Sequence, residues 1–582
     1  MLKRVAGLDG LRGIAVLAVI IYHADLGILP GGFLGVDIFF VLSGFLITSI
    51  LIQEISKTGK IDRAQFYLRR IRRLMPALFL MLLFAVIASG LWAHDAAYPV
   101  RRDLPWALTF VVNWSYIFFD QSYFVNISRP PMLQHLWSLA IEEQFYVIWP
   151  MVLILLTKAK LSMARTRAVI FLVALTGAVS SSLVMAYLSI KNGYPTPNDP
   201  SRVYFGTDTH SMGLLIGCAA AAVWSETRFK EQLTPDRRSA LNLFSLLPIA
   251  VIAYYIIRIT EFDQGLYVYG FAIVSVASAV LVFLTTHPAL KVGQLLRTKP
   301  LVWIGERSYG IYIWHWPIFM LLRPGIDNSW PENLNTLIRF VLVFVVSDIS
   351  YRFIELPIRK GAIGRTVARW RKIGIPKPTI PQSVSAVLGT AVLVTALFGM
   401  YRAPVANAEN LIGLGGITSV DQDPTSSPEP APTQATPEPV ISLPADADAK
   451  APTPEEIQRA ANSTIVFGDS VVLSALEPLR STLGDIAIDA EIARQPAVIA
   501  ERIDLRRKEQ RLGNDVVIHM GTNGVVTRKD LEPILQSLSD RRRVVVVNVK
   551  VPRKWMKASN AMIAELAPLY PNVRIADWAT TA

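Results

Sequence analysis

Long apolar runs fill the first 400 residues of this sequence, and each is about as long as a helix must be to cross a bilayer. A hydrocarbon core about 30 Å thick needs roughly 20 apolar residues of helix. Runs that meet this length cover residues 9–29, 33–53, 74–92, 137–157, 168–189, 206–225, 240–258, 267–286, 302–322, 335–354 and 383–401. The sequence therefore predicts a polytopic α-helical membrane domain of about 11 spans over residues 1–401.

The overall composition agrees with this interpretation and excludes an ordinary soluble enzyme. Hydrophobic residues make up 52% of the chain and charged residues only 18%, with a mean hydropathy of +0.38. The formal net charge is +13, and the excess Lys and Arg lie in short loops between apolar runs, as in cytoplasmic loops of membrane proteins. Those loops account for the charge, so no nucleic-acid partner is expected.

The basic loops also predict the orientation in the cell membrane. Loops at 57–73, 158–167 and 359–372 are rich in Lys and Arg and share one side with Lys3 and Arg4 if the segment 104–119 is re-entrant or interfacial. The N-terminus is then cytoplasmic, and everything after about residue 401 is extracellular. A cleaved signal peptide is the competing interpretation of the first 29 residues, but Asp9 and Arg12 interrupt its apolar region.

The composition changes sharply after the last apolar run. Residues 402–455 are rich in Pro, Ala and Thr, with too few large apolar residues to form a core, and predict an extracellular linker. From residue 456, short apolar runs such as TIVFG and RRVVVVNVKV alternate with helical patterns such as RKDLEPILQSLSD, which is typical of a doubly wound α/β domain. Cys218 is the single cysteine, so this domain has no disulfide and no cysteine-based metal site is possible.

Two ionisable residues stand out in the first apolar run. Arg12 and His23 are eleven positions apart, which returns them to nearly one face of a helix about 16 Å apart along its axis. They can line one cavity from opposite ends. Alternatively, Arg12 extends to the cytoplasmic surface and His23 caps the outer end of the helix.

The first run resembles the opening Arg-ten-residues-His signature of the acyltransferase family 3 membrane proteins. GGFLGVDIFFVLSGFLI, FYLRRIRRLMPA, HLWSLAIEEQFYVIWP, SYGIYIWHWPI and YRFIELPIRK resemble later segments of that family in the same order, over about the first 360 residues. The resemblance implies that acyl-CoA, usually acetyl-CoA, is the donor substrate rather than a permanently bound cofactor. It also implies that the acyl group is passed to an acceptor on the outer side.

The resemblance assigns roles to several residues of the membrane domain. Arginines at a cytoplasmic helix start can hold CoA phosphates, and the candidates are Arg69, Arg70, Arg72 and Arg73. Their alternative role is ordinary membrane topology. His23 is the expected general base or transient acyl carrier. Glu142 and Glu143 point about 100° apart, so one of them can pair with Arg12 or His23, in a catalytic or a purely structural ion pair.

The segment RVYFGTDTHSMG resembles an element of the peptidoglycan O-acetyltransferase branch of the family and makes Tyr204 a candidate acyl relay. A tyrosine at the outer mouth of a span is more commonly an interfacial anchor, which is the alternative role.

In the C-terminal region, Ser470 directly follows a predicted buried strand in VFGDSVV, and Asn523 follows another in IHMGTNG. Ser470 suits a nucleophile and Asn523 an oxyanion-hole donor. Together they resemble the SGNH hydrolase superfamily and imply an SGNH-like, flavodoxin-like three-layer domain over 456–582, as in the extracellular domains of peptidoglycan O-acetyltransferases.

Two features depart from that pattern. Ala493 stands where a glycine is usual, and no histidine follows Asp577, although the family expects an Asp-x-x-His there. His519 is the only histidine of this domain and is expected to pack in its core. The sequence therefore predicts a domain that is incomplete at its C-terminus, with Ser470 lacking its general base.

The expected function is transfer of acetyl groups from cytoplasmic acetyl-CoA to a cell-envelope polysaccharide, with peptidoglycan as the favoured acceptor. Other surface glycans remain open. A membrane transporter is the alternative of a different class, since buried Arg, His and Glu also build substrate paths. An outer domain that acts as an esterase is a third possibility.

Overall fold

A computed structural model describes residues 5–119, 121–124, 129–195, 199–224, 233–324, 326–373, 380–402, 419–422, 463–484, 486–491, 494–551 and 555–581. The chain divides into two compact units, the first ending at Val405 and the second running from Ala406 to Ala582 together with Thr196–Asn198. Ala493 and most of the predicted linker 402–455 lie outside the described residues.

The first unit is built from α-helices, which we number in chain order. They are α1 Ala6–His23, α2 Gly35–Thr58, α3 Arg63–Leu91, α4 Ala97–Leu108, α5 Val112–Phe118, α6 Leu136–Lys158, α7 Met163–Asn192, α8 Ser201–Phe205, α9 Thr207–His210, α10 Met212–Val223, α11 Pro235–Phe244, α12 Leu246–Arg258, α13 Phe271–Thr285, α14 Lys291–Leu295, α15 Lys299–Leu321, α16 Glu332–Ser350, α17 Leu356–Arg359, α18 Ala362–Ile373 and α19 Ile380–Arg402. Single π-helical turns at Leu266–Gly270 and Tyr351–Glu355 precede α13 and α17.

Seven helical stretches among the described residues are long and apolar enough to cross a bilayer, which confirms a multi-pass membrane domain. They are Ala6–His23, Gly32–Thr58, Arg63–Leu91, Leu136–Lys158, Met163–Asn192, Pro235–Arg258 and Leu266–Thr285. The predicted spans 302–322, 335–354 and 383–401 coincide with α15, α16 and α19. The total of eleven stays a prediction.

The predicted span 206–225 contains a turn rather than one unbroken helix. Helix α9 ends at His210, and α10 runs from Met212 to Val223. Gly206, at the start of this range, is extended (φ −66°, ψ 127°) and separates α8 from α9. The hydroxyl of Thr209 donates to the carbonyl oxygens of Val203 (2.7 Å) and Gly206 (3.1 Å), which caps the broken backbone. The segment 104–119 is occupied by parts of α4 and α5, each too short to span a bilayer.

Helices α1 and α15 run parallel and touch at backbone distance. A Cβ atom on Gly13 would overlap the carbonyl oxygen of Leu301, and one on Gly305 would overlap that of Asp9. Glycine is required at such contacts because any side chain would push the two helices apart. This contact aligns the far ends of both helices, so that His23 of α1 meets His315 of α15.

The second unit contains a six-stranded sheet with flanking helices. Its elements are β1 Ser419–Gln422, β2 Thr464–Gly468, α20 Ser470–Ser474, α21 Leu476–Leu483, β3 Ala487–Glu491, α22 Pro496–Lys508, β4 Asp515–His519, α23 Arg528–Ser537, β5 Arg543–Val547, α24 Met556–Leu566, β6 Val573–Ala576 and α25 Trp578–Thr581. The strand order is β1-β3-β2-β4-β5-β6. Strands β2 to β6 pair in parallel, and β1, which falls within the range predicted as linker, pairs antiparallel with β3.

Both faces of this sheet are covered. Ile465 and Phe467 of β2 pack into one apolar cluster, which includes residues of α22, α23 and α24, and Val466 packs into another with residues of α20. Side chains alternate along a strand, so the two clusters lie on opposite faces. The second unit is therefore the small parallel α/β domain that the sequence predicts.

We expect Gly305→Ala to destabilise the first unit, because the added methyl group collides with the backbone of α1 rather than with a movable side chain. Overpacking of this kind costs about 1–3 kcal/mol or more. The matched control is Gly389→Ala in α19, where a Cβ meets nothing within 4 Å. Thermal unfolding of the purified protein in detergent should show a lower midpoint for Gly305→Ala only. An equal midpoint for both variants would contradict the close contact between α1 and α15.

Candidate active site

A cavity of about 400 Å³ lies inside the first unit, between α1, α2, α3, α6 and α15. Its wall combines apolar side chains with tyrosines and with charged groups of both signs, among them Arg12, Arg70, Arg73 and Glu142. Ionisable groups are costly inside a membrane domain and usually mark a functional site. The cavity is thus the first candidate for a substrate site.

A second cavity, of about 290 Å³, adjoins the first and shares Ile50, Arg70, Arg73 and Arg359 with it. Five arginines dominate its wall, accompanied by Ile50 and Phe66: they are Arg69, Arg70, Arg72, Arg73 and Arg359. No described carboxylate lines it. All four arginines predicted from the sequence therefore meet in one place, and Arg359 joins them.

Most of these arginines form no direct ion pair with a described carboxylate, although Glu142 and Glu355 attract them at longer range. Arg69 lies 3.8 Å from Glu54, and Arg70 stacks over the ring of Tyr146, with 5.0 Å between its guanidinium carbon and the ring centroid. Arg73 and Arg359 form no ion pair within the described ranges. Such a set of guanidinium groups is suited to bind a polyanion, since phosphate is held by paired N–H donors.

Arg12 and Glu142 both line the larger cavity, where their charges interact. The Glu142 carboxylate accepts a hydrogen bond from Ser43 Oγ (2.6 Å) and one from the Tyr146 hydroxyl (3.5 Å). The pairing of a glutamate with Arg12 or His23 stays a prediction, since no direct ion pair joins Glu142 to either residue among the described residues. Glu142 lines the cavity and Glu143 does not, as expected for neighbours that point about 100° apart.

His23 does not line the cavity and belongs instead to a chain of hydrogen-bonded rings. Its Nδ1 lies 3.1 Å from Nε2 of His315, and its Nε2 lies 2.9 Å from the hydroxyl of Tyr123. His315 Nδ1 lies 2.5 Å from the carbonyl oxygen of Tyr312. A carbonyl oxygen can only accept a hydrogen bond. With both histidine rings neutral, the Tyr312 carbonyl therefore determines which nitrogen of each ring carries the proton. His315 carries its proton on Nδ1, His23 on Nδ1, and His23 Nε2 presents a lone pair to Tyr123.

This histidine chain begins next to the cavity. Tyr312 and Ser138 both line the larger cavity, and their hydroxyl oxygens lie 2.6 Å apart. The Tyr312 hydroxyl donates to the carbonyl oxygen of His135 (2.8 Å), whose ring lies 5.8 Å from that of His315. Arg12 therefore lines the cavity directly, whereas His23 is connected to the cavity wall through His315 and Tyr312.

Tyr204 is fully buried, which contradicts its alternative role as an interfacial anchor. Its ring packs against those of Trp137 (4.5 Å between centroids), Tyr123 (4.7 Å) and Phe124 (5.0 Å). An interfacial anchor needs one wet end, and the Tyr204 side chain is 0% exposed. The break between α8 and α9 turns this tyrosine inward, beside the ring that bonds to His23.

A buried pair of Asp37 and His210 supports this break. His210 Nδ1 lies 2.9 Å from the carbonyl oxygen of Tyr204, and its Nε2 lies 2.9 Å from Asp37 Oδ1. The carbonyl requires a proton on Nδ1, so the second contact needs a further proton, on either Nε2 or the carboxylate. In both states the pair is neutral overall, which suits its complete burial.

In the second unit, Ser470 is the first residue of α20 and directly follows β2. The residue before it, Asp469, caps the helix by accepting from the Val471 amide (3.0 Å). The same Asp469 oxygen lies 3.0 Å from His519 Nδ1. His519 is therefore buried and paired with Asp469. Ser470 itself is only 4% exposed, so it is less open to solvent than the expected exposed nucleophile.

Asn523 follows β4, the neighbour of β2 in the sheet. Its side-chain amide lies 3.4 Å from the carbonyl oxygen of Arg494, and it is 3% exposed. From β2 the chain passes to β3 on one side and then to β4 on the other side of β2. Doubly wound α/β folds bind ligands at the carboxyl ends of the strands where the order reverses in this way. Ser470 and Asn523 thus flank the crevice where such a fold places its site.

Asp577 closes β6 on the same edge of the sheet. Hydrogen bonds from the hydroxyl of Thr580 (2.5 Å) and the amide of Asn548 (2.7 Å) hold the pKa of the Asp577 carboxyl below its usual range. The histidine described in this unit, His519, is bonded to Asp469. Within the described residues, Ser470 therefore contacts no histidine that could act as its base.

Sequence reasoning missed three features of the first unit. Arg359 was assigned only to membrane topology, and the contact of His23 with His315 joins residues 292 positions apart. Asp37 carried a usable signal, because it is a carboxylate within an apolar run. Its partner His210 stood in a segment noted only for Tyr204.

Comparisons with known proteins cover the whole chain. Residues 5–352 match a family described as an acyltransferase domain. YrhL of Bacillus subtilis is 34% identical over 607 residues, covering 100% of this chain and 94% of that protein. The peptidoglycan O-acetyltransferase OatA of Listeria monocytogenes is 32% identical over 600 residues (99% and 93%), and the O-acetyltransferase OatA of Staphylococcus aureus is 32% identical over 577 residues (98% and 90%). No solved structure gives a significant match.

We expect Asp37→Asn to be tolerated and Asp37→Ala to destabilise the first unit. The asparagine amide can donate to Nε2 of a neutral His210, whereas alanine leaves that buried nitrogen unpaired, at a cost of about 1–3 kcal/mol. Thermal unfolding in detergent should lower the midpoint by several degrees for Asp37→Ala and by much less for Asp37→Asn. Equal losses for both variants would show that the carboxylate charge, rather than the hydrogen bond, is needed.

Proposed function

This chain belongs to the acyltransferase family whose domain its residues 5–352 match, and we propose that it moves acetyl groups from cytoplasmic acetyl-CoA to hydroxyls of peptidoglycan outside the cell membrane. The observation that carries the proposal is the arginine-lined cavity, which shares lining residues with the larger cavity, whose wall includes Tyr312. Membership in the family makes the protein an O-acyltransferase. The donor, the direction of transfer and the acceptor are the proposed parts.

The arginine-lined cavity fits the phosphates of CoA. CoA carries a pyrophosphate and a 3′-phosphate on its nucleotide end, followed by a long, mostly apolar pantetheine arm. Five guanidinium groups without a lining carboxylate match the first part. The larger cavity, with its tyrosines and apolar side chains, suits the arm. The acetyl end would then approach Tyr312 and Ser138.

His23 Nε2 is the proposed acceptor of the acetyl group. Its lone pair attacks the thioester carbonyl, the carbon–sulfur bond breaks, and CoA leaves as a thiolate. The proton on His23 Nδ1 moves to His315 Nε2, 3.1 Å away, and is returned to the thiolate. The products are acetyl-His23 and the CoA thiol. His315 therefore positions His23 and takes its proton, while the Tyr312 carbonyl holds His315 in the required tautomer.

Transfer onward would use the outer domain. Tyr123, which bonds to His23, packs against Tyr204, so the two phenols lead away from the acetylated histidine. The Ser470 hydroxyl would attack the acetyl carbon, the bond from that carbon to the group that delivered it would break, and the serine proton would pass to that leaving group. A sugar hydroxyl would then attack the ester and return its proton to the serine oxygen. Asn523 would donate to the oxyanion. The full-length similarity to the peptidoglycan O-acetyltransferase of Listeria monocytogenes supports peptidoglycan as the acceptor. The N-terminus is then cytoplasmic and the C-terminal domain extracellular.

We expect Arg73→Gln to raise the KM for acetyl-CoA about tenfold to a hundredfold, with a smaller effect on kcat. A hydrogen bond to a charged group contributes about 1.5–3 kcal/mol, and Arg73 lines both cavities. The matched control is Arg63→Gln, an exposed arginine on the same helix that lines neither cavity. Initial rates of CoA release in membrane vesicles give both constants. An unchanged KM for Arg73→Gln would contradict phosphate binding here.

We expect Ser470→Ala and His23→Ala to block different stages. Ser470→Ala should still release CoA from acetyl-CoA but should lose acetylation of added peptidoglycan fragments. His23→Ala should lose both, by about a hundredfold or more, since it removes the proposed acyl acceptor. The measurements are CoA thiol release and mass spectrometry of the fragments. Normal fragment acetylation by Ser470→Ala would show that the membrane domain delivers acetyl groups without this serine. Solute uptake without acetyl transfer would favour a transporter instead.

A further inference from the structure

Helix α18 stands out from the rest of the first unit because almost none of it is covered by protein. It follows the short helix α17, which continues from α16, and it precedes the long apolar helix α19. Every residue from Ile363 to Lys372 is exposed. With 12 residues it is about 18 Å long, which is too short to cross a bilayer.

The apolar and basic side chains of α18 fall mostly on two opposite sides, with Arg371 beside the apolar stripe. Ile363, Val367 and Trp370 fall within about 60° of one another at 100° per residue and form an apolar stripe. These three side chains are 57%, 38% and 42% exposed. Exposed apolar stripes of this kind on a helix with a strongly polar opposite side are typical of helices that lie in a membrane interface.

The opposite side of α18 carries positive charges that are not paired with a described carboxylate. Arg365, Arg369 and Lys372 also fall within about 60° of one another, and none of them makes an ion pair with a described residue. Arg365 donates to the carbonyl oxygen of Lys360 (2.5 Å), which offers no negative charge. Basic groups at a membrane surface attract anionic lipids and lose this attraction when neutralised.

The position of α18 places it beside the arginine-lined cavity. A Cβ on Gly364 would lie 3.9 Å from the guanidinium of Arg72, and Arg359, at the end of α17, lines that cavity. The helix is flanked on both sides by long apolar helices of the membrane unit. Because its neighbours in the chain belong to the membrane unit, we expect α18 to lie against the bilayer surface.

We propose that α18 lies in the headgroup layer beside the arginine-lined cavity, with Ile363, Val367 and Trp370 in the acyl boundary, and that its basic side binds anionic phospholipids. The apolar stripe supplies insertion, and the phosphates of the headgroups are the counter-ions of Arg365, Arg369 and Lys372. This inference does not depend on the proposed donor or acceptor of the acetyl group.

The test uses spin labels on the full-length protein in vesicles. Val367→Cys reports the apolar stripe, and Ala368→Cys, the next residue and also exposed, reports the other side. The native Cys218 is buried, so the unsubstituted protein measures background labelling. In phosphatidylcholine vesicles with added phosphatidylglycerol, we expect the label at 367 to be about tenfold less accessible to an aqueous nickel chelate than the label at 368.

The charge requirement is tested by neutralising the basic side. Combining Arg365→Gln, Arg369→Gln and Lys372→Gln should abolish the extra protection that phosphatidylglycerol gives to position 367. Because all three residues are exposed, the single substitutions serve as milder versions if the triple variant expresses poorly. Pyrophosphate added to pure phosphatidylcholine vesicles should give no protection, which separates a lipid headgroup from a free phosphate.

Three outcomes would overturn the proposal. Equal nickel accessibility at 367 and 368 would show that the stripe does not enter the bilayer. Equal protection with and without phosphatidylglycerol, or protection that survives the triple substitution, would show that anionic lipid is not the ligand. Protection by pyrophosphate in neutral vesicles would assign the basic side to a soluble phosphate compound.

Discussion

Ionisable groups inside a membrane-embedded helical bundle cost free energy, and this cost determines how the charged residues of the first unit are arranged. A charge there must be paired, neutralised or reserved for a ligand. Asp37 and His210 form a fully buried pair that is neutralised, because one further proton on the pair removes its net charge. The arginines at the smaller cavity show the other solution. They lack lining carboxylates, and an anionic donor would supply the missing charge.

The same constraint explains the histidine chain. With both rings neutral, the Tyr312 carbonyl fixes the proton of His315 on Nδ1, and the free Nε2 of His315 in turn accepts the Nδ1 proton of His23. This order leaves a lone pair on Nε2 of His23, where the Tyr123 hydroxyl donates. The close contact of α1 with α15 through Gly13 and Gly305 brings the two rings together, so backbone packing at one end of these helices sets the chemistry at the other.

The sequence predicts local features well and distant pairings poorly. Apolar runs locate α1, α2, α3 and most later spans, because length and composition decide whether a helix can cross a bilayer. The four arginines of α3 were identified by their clustering within five positions. The contacts of His23 with His315, and of Asp37 with His210, join residues 292 and 173 positions apart, and no spacing rule reaches that far. Tyr204 was misplaced because the break at Gly206 is invisible to hydropathy, yet it turns the ring from the expected interface into the core.

In the proposed function, acetyl groups enter at the arginine-lined cavity and leave on the opposite side of the membrane. The most direct test seals acetyl-CoA inside vesicles that hold the protein with its arginine cavity facing inward, and supplies peptidoglycan fragments only outside. The account predicts that acetylated fragments accumulate outside while CoA thiol accumulates inside, and that both stop when His23 is replaced by alanine. Acetylation that requires donor and acceptor on the same side would contradict it.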